Sequence, residues 1–152
     1  MSQSLAKVIV HVGYSTKNRQ GWFRERAMRT DLYAYNSSVL SRGVDFKPIL
    51  IGGLDDHIHI LGLLSRKVSI ADMIKESKTQ TSKWVKKAGP QFLGFQWQAG
   101  YGIFSVSPSR IPQVKRYIAN QDQHHRGMSF QDEFRELCRR HGVAIDERYV
   151  WE

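Results

Sequence analysis

The 152-residue sequence has little of what is typical of secreted and membrane proteins. Its single cysteine, Cys138, has no partner within the chain, which excludes an intramolecular disulfide framework. No apolar run is long enough to cross a bilayer, and residues 1–7 lack the apolar stretch of a signal peptide. The length suits one domain, residues 1–152, with a core of its own. We therefore expect a single-domain protein of the cytoplasm.

Acidic residues are also few, since 14 Asp and Glu face 23 Lys and Arg, which gives a net charge of +9. Such an excess of positive charge favours a polyanionic partner such as nucleic acid, but by itself it excludes few classes of protein. Aromatic residues lie among the cations, as in Trp22-Phe23-Arg24 and Lys83-Trp84-Val85-Lys86. Aromatic faces stack on unpaired bases while cations contact phosphates, so this pattern favours single-stranded nucleic acid. For Trp84 and Trp97 a place in the core is equally consistent.

Hydrophobic periodicity predicts the order strand, helix, strand, strand, helix, strand. The predicted ranges are a strand over 6–14, a helix over 23–42, a hairpin of strands over 44–51 and 57–64, a helix from Ser69, short strands over 95–98 and 102–106, and further helices over 112–127 and 129–142. This order is the ferredoxin-like plan of the α+β class, an antiparallel sheet with helices on one face. This plan leaves the other face open, so that one of the additional C-terminal helices could lie across it.

The most specific motif is Asp56-His57-Ile58-His59-Ile60-Leu61. Successive side chains of a strand point to opposite faces, so His57 and His59 share one face and could share one metal ion. Tyr117 and Gln121 are four residues apart, and a helix would present them together. A phenol beside a metal ion is suited to attack on a phosphodiester.

Each of these residues has a plainer interpretation when taken alone. A histidine pair on a strand is often partly exposed, and a helix tyrosine is usually part of a core. The conjunction of both motifs is more specific than either. We interpret His124 and His125 as structural residues or as contacts to a nucleic-acid backbone rather than as further metal ligands.

Together the motifs resemble the HUH endonuclease superfamily, and within it the single-tyrosine transposases of small bacterial insertion sequences. The same order of motifs includes Ser15-Thr16-Lys17, Trp97 to Gly102, Phe104 to Ser107, and Val114. The resemblance implies an enzyme that nicks and rejoins single-stranded DNA at hairpin ends through a covalent 5′-phosphotyrosine. It implies Tyr117 as the nucleophile and His57, His59 and Gln121 as ligands of Mg²⁺ or Mn²⁺. It also implies an intertwined homodimer, and leaves open whether Tyr117 acts in cis or in trans.

A hairpin partner needs cationic contacts outside the metal site. We predict these from the basic side chains of the second helix and of two other segments: Lys78, Lys83, Lys86, Arg24 and Arg116. A lysine-rich helix face can also be merely solvated. DNA binding would associate the protein with the nucleoid.

Three other functions fit parts of the sequence. A domesticated relative acting on dispersed palindromic repeats differs only in genomic context. A non-catalytic ferredoxin-like module that binds single strands would not need Tyr117 and the two histidines. A metal-dependent phosphoesterase of small molecules is disfavoured by the strong positive charge and by the lack of a second ligand cluster.

Overall fold

The sheet consists of four antiparallel strands, β1 (Ile9–Ser15), β2 (Lys47–Gly53), β3 (His57–Leu63) and β4 (Gly102–Ser105). Their order across the sheet is β2-β3-β1-β4. Helix α1 (Arg26–Gly43) connects β1 to β2, and α2 (Ile70–Lys86) connects β3 to β4. The computed structural model describes residues 2–152. The ferredoxin-like plan and the β2–β3 hairpin are therefore confirmed.

One face of the sheet carries the main apolar core. Alternate residues of β1 and β3 point toward α1 and α2, among them Val12, Ile58 and Ile60, which are fully buried. Leu32 of α1 and Met73 of α2 pack against them. This face follows directly from the period-two pattern of the strands.

The opposite face is covered by the C-terminal helices α3 (Ile111–Ala119), α4 (Gln121–His124) and α5 (Phe130–Arg140). Ile118 of α3 packs against Leu61 of β3, and Phe134 of α5 packs against Phe104 of β4. Helix α3 lies close to β2, since a Cβ on Gly52 would lie 2.7 Å from a methyl group of Ile118. The face that the ferredoxin-like plan leaves open is thus covered by these helices, the predicted tyrosine helix among them, because the apolar stripes of α3 and α5 pack there.

Several local predictions can be compared with the structure directly. Ser69 and Ser129 cap α2 and α5, with their hydroxyls accepting hydrogen bonds from the Asp72 and Asp132 amides at 3.0 and 3.1 Å. The strand predicted over 95–98 was wrong, because this segment forms only one bridge, between Trp97 and Thr16. Its aromatic rings pack into the core instead.

The helix predicted over 112–127 is interrupted. Asn120 leaves the helical range at φ −103° and ψ 29°, so Tyr117 lies on α3 and Gln121 begins α4. Among residues 2–152, no helix is both long and apolar enough to span a membrane.

Candidate metal and nucleophile site

The two histidines of β3 lie side by side on the face that α3, α4 and α5 cover. Both are buried, and neither is more than 1% exposed. Their rings are 5.1 Å apart between centroids. The shared orientation predicted from strand alternation is therefore present, within an enclosed cluster of polar side chains.

A carboxylate from α5 occupies the centre of this cluster. The Nε2 atoms of His59 and His125 donate to the two oxygens of Glu133, at 2.6 and 2.7 Å. His57 Nε2 lies 3.8 Å from the same carboxylate. One ligand atom from each of His57, His59, His125 and Glu133 lies within 4.8 Å of all the others.

The imidazoles of His57, His59 and His125 each have a polar contact at Nδ1. Asp56 Oδ1 lies 2.7 Å from Nδ1 of His57, His11 Nε2 lies 2.8 Å from Nδ1 of His59, and the Met128 carbonyl lies 2.6 Å from Nδ1 of His125. Such outer contacts fix the ring orientation and the tautomer of metal-binding histidines. The Nε2 atoms are consequently all directed toward one place.

Gln121 joins the cluster from the start of α4. Its Oε1 lies 2.7 Å from His57 Nε2, and its amide nitrogen donates to the Tyr117 carbonyl at 3.3 Å. The second contact fixes which end of the amide faces the histidine. An amide oxygen is thereby directed at the place that the Nε2 atoms share.

The Tyr117 ring forms one wall of the same cluster. Its centroid lies 5.7 Å from that of His59, 6.0 Å from that of His11 and 4.6 Å from that of His124. Burial and the neighbouring Glu133 carboxylate raise the pKa of the Tyr117 phenol, which Arg140 partly opposes. The phenol is therefore protonated at neutral pH and needs a cation or a base to become a nucleophile.

Glu133 and its histidine neighbours shift one another's pKa values. Burial alone would raise the pKa of the Glu133 carboxyl, but His59 and His125 hold it well below its usual range. Burial opposes the charged form of His125, but the hydrogen bond to Glu133 gives a net raised pKa. Burial lowers the pKa of His59 and lowers that of His11 to about 3. Glu133 thus favours the protonated form of His125, whereas burial favours the neutral forms of His11 and His59.

The donor set fits a divalent cation. Ligands about 2.1 Å from an ion lie at most about 4.2 Å from each other, close to the spread of the four donor groups. Imidazole and carboxylate together suit Mn²⁺ better than Mg²⁺, which prefers oxygen and water. His57, His59, Glu133, His125 and the Gln121 oxygen are the groups that could hold the ion. Binding at Nε2 of His59 requires loss of the proton now shared with Glu133.

The predicted DNA-binding cations are divided between the two faces. Lys83 and Lys86 lie on the outer surface of α2, on the far side of the sheet from Tyr117. Arg116 lines a shallow depression next to Tyr117. Arg24 is exposed just before α1, and its Nε donates to the Gly21 carbonyl at 3.2 Å.

Lys78 differs from the other four cations. Its ammonium group donates to the carbonyls of Gln98, Ala99 and Gly100 at 2.8, 3.2 and 2.7 Å. It also lies 4.9 Å from the centre of the Tyr14 ring. These contacts hold the segment that precedes β4, and Lys78 has no donor left over for a phosphate while they persist.

Trp84 and Trp97, for which the sequence allows either base stacking or a place in the core, differ in burial. Trp97 is buried, and its Nε1 donates to the Thr81 hydroxyl at 2.9 Å, so it belongs to the core. Trp84 is half-buried and stacks on Tyr35 at 5.9 Å.

Sequence reasoning missed Glu133 and His11, and it assigned His125 outside the ligand set. A signal existed for each. Glu133 falls on the apolar stripe of α5 between Phe130 and Phe134, where a carboxylate is unexpected. His11 interrupts the buried run of β1 at a position that faces the same way as His59.

Comparison with known proteins identifies the family. Residues 4–121 match the family model described as "Transposase IS200 like". The chain belongs to the IS200-like transposase family. The matched segment includes His57, His59, Tyr117 and Gln121, whereas Glu133 lies beyond it. No curated protein is similar enough in sequence to this transposase to give a match.

The solved structures that resemble this IS200-like transposase include two other transposase structures. A candidate transposase from Deinococcus radiodurans R1 aligns with a TM-score of 0.60 at 20% identity, covering 80% of this chain and 98% of that one. A REP-associated tyrosine transposase bound to a REP hairpin aligns with a TM-score of 0.56 at 14% identity, covering 82% and 75%. At these identities the likeness establishes the fold.

Proposed function

We propose that this IS200-like transposase nicks and rejoins single-stranded DNA with hairpin ends through a covalent bond between Tyr117 and a 5′ phosphate. The observation that carries the proposal is the meeting of Tyr117 with His57, His59 and Gln121 in one cluster. The resemblance to a transposase bound to a REP hairpin supports hairpin DNA as the partner.

The chemistry is a transesterification. The Tyr117 oxygen forms a bond to the scissile phosphorus, the bond from phosphorus to the 3′ oxygen breaks, and the phenol proton leaves as the 3′ hydroxyl gains one. The phosphodiester energy is kept in the new bond, so the reverse reaction rejoins the strand without a nucleotide cofactor. A bound Mg²⁺ or Mn²⁺ would act as a Lewis acid on the phosphate and oppose the rise in the phenol pKa.

The residues of the chain position these groups. Asp56 and His11 orient the two histidines, and Gln121 links the ligand cluster to the backbone of Tyr117. All these groups belong to a single chain, so cis action of Tyr117 requires no exchange between subunits. A homodimer remains an expectation.

The test is formation of a covalent product. The protein is incubated with a library of hairpin-bearing single strands and Mn²⁺ or Mg²⁺, and protein bound to DNA is detected on a denaturing gel. We expect a band that Tyr117→Phe abolishes, because only the attacking oxygen is removed. Tyr101→Phe and Tyr149→Phe, which alter two exposed tyrosines, serve as matched controls and should retain the band.

An adduct that persists in Tyr117→Phe would exclude this tyrosine as the nucleophile. Hairpin binding with no adduct under either metal would favour a non-catalytic binding module.

A further inference from the structure

A second feature next to Tyr117 is a cleft of about 380 Å³. It lies between the end of β4, α3 and α5, and Tyr117 forms part of its wall. A cleft of this size is within the range of small-ligand sites. A group that fills it would lie beside the Tyr117 side chain.

The cleft has cationic side chains at its rim. Arg110 and Arg140 both line it, and no carboxylate does among the residues described. Arg140 contacts Glu136 through Nε at 3.0 Å, and within residues 2–152 its two terminal nitrogens form no hydrogen bond. The Arg110 side chain likewise forms no hydrogen bond within that part of the chain. Guanidinium groups with free donors suit phosphate oxygens.

The inner walls of the cleft have a different character. Val106, Val114 and Leu137 provide an apolar surface. The His141 ring also lines the cleft and stacks on Phe104, with 4.7 Å between ring centroids and 30° between planes. Flat and apolar surfaces of this kind accept a nucleobase.

A nucleotide combines these two characters, an anionic phosphate and a flat base. We infer that this cleft holds the nucleotide next to the scissile phosphate of a DNA strand, with Arg110 and Arg140 on its phosphate and its base against Val114 and Leu137. The inference rests on the proposed function, because it takes Tyr117 as the nucleophile. It assigns a role to α5, which lies outside the segment matched to the family.

The experiment compares Arg110→Gln and Arg140→Gln with Arg139→Gln. Arg139 is the neighbour of Arg140 on α5 and contacts the same Glu136, at 2.7 Å, but it does not line the cleft. Affinity for a 5′-phosphorylated six-nucleotide strand is measured by fluorescence anisotropy over a range of salt. We expect each cleft variant to bind about tenfold more weakly, with a salt slope lower by about one. Arg139→Gln should bind as the unaltered protein does.

Equally weakened binding in Arg139→Gln and Arg140→Gln, or unchanged affinity in both cleft variants, would overturn the inference. So would binding of thymidine monophosphate without binding of the strand, since the cleft would then take a free nucleotide. The measurement needs no cleavage, which separates the two proposals. Weaker binding in the cleft variants of a protein that forms no adduct would refute nicking alone, and an active protein with unaffected cleft variants would refute the cleft alone.

Discussion

The two faces of β3 carry opposite kinds of side chain within seven residues. Ile58 and Ile60 point into an apolar core under α1 and α2, whereas His57 and His59 point into a hydrogen-bonded cluster under the C-terminal helices. All four side chains are buried almost completely. Burial therefore does not distinguish the core residues from the candidate site residues of this strand. The two pairs differ in what they contact, which is apolar on one face and polar on the other.

Stability and chemistry are accordingly located on different sides of one strand. The apolar face gains from the transfer of hydrocarbon out of water. The polar face keeps buried groups at low cost only because each of them has a partner. Substitutions on adjacent residues of β3 should consequently affect different properties.

The largest expected effect is on the metal site. His57→Ala or His59→Ala removes a donor that shares one place with Glu133, so Mn²⁺ binding and covalent product should both disappear. Isothermal calorimetry with Mn²⁺ measures the first, and the gel assay the second. Hairpin affinity should change little, since the cations that we predict to contact DNA lie elsewhere.

A smaller loss of Mn²⁺ affinity is expected when the amide donor is removed. Gln121→Ala should reduce Mn²⁺ affinity less than His57→Ala, because water can replace an amide oxygen on the ion. Unchanged affinity in both histidine variants would show that the cluster is not a metal site.

A substitution on the apolar face of β3 should affect stability and leave metal binding unchanged. Ile60→Ala creates a cavity under α1 and α2, and should lower the free energy of unfolding by about 2–5 kcal/mol. Urea unfolding followed by fluorescence measures it. The folded fraction should still bind Mn²⁺ normally, and a drop in metal affinity equal to that of His57→Ala would mean that the two faces are coupled.

A smaller effect is expected from acid. The pKa of His11 falls from 6.5 to about 3 on folding, so between those values the unfolded chain binds a proton that the folded chain does not. Stability should therefore fall as the pH falls through this window, by about 1.4 kcal/mol per pH unit for this group. His59 shifts in the same direction and adds to the slope.

The window from pH 6.5 to 5 isolates this contribution from most carboxyl titration. Unfolding free energies measured there in EDTA should depend on pH less steeply in His11→Gln than in the unaltered protein. Equal slopes would contradict the assignment of a neutral His11 in the folded state.

The smallest effects concern the cations of the two faces. Replacing Arg24 and Arg116 by Gln should weaken hairpin binding and lower the salt slope by about one for each phosphate that is no longer neutralised. Replacing Lys83 and Lys86 by Gln tests the outer surface of α2 in the same way. If only the lysine pair changes the slope, the hairpin lies on the side opposite the tyrosine.

Residues that depend on local periodicity were predictable. Strand alternation places His57 and His59 together, and a four-residue spacing brings Tyr117 near Gln121 despite the break at Asn120. The two serine caps belong to the same class. Each of these predictions needs only the geometry of one element.

Residues brought in by packing were not predictable in this way. Glu133 reaches the histidines because α5 folds over the sheet, and His11 does so because β1 lies beside β3. The aromatic residues over 95–98 have strand propensity, but their rings pack into the core while the backbone forms only one bridge and no regular strand pairing. Tertiary contacts decide such positions.

Helix α5 sets the distance between the histidine cluster and the cleft beside Tyr117. Glu133 in the histidine cluster and Arg140 at the cleft are seven residues apart on this helix. Seven residues make almost two full turns and a rise of about 10.5 Å, so both side chains lie along one side of the helix. One residue inserted after Leu137 would rotate Arg140 by about 100° and leave Glu133 in place. The helix therefore sets a fixed distance between the two sites, which an insertion would change.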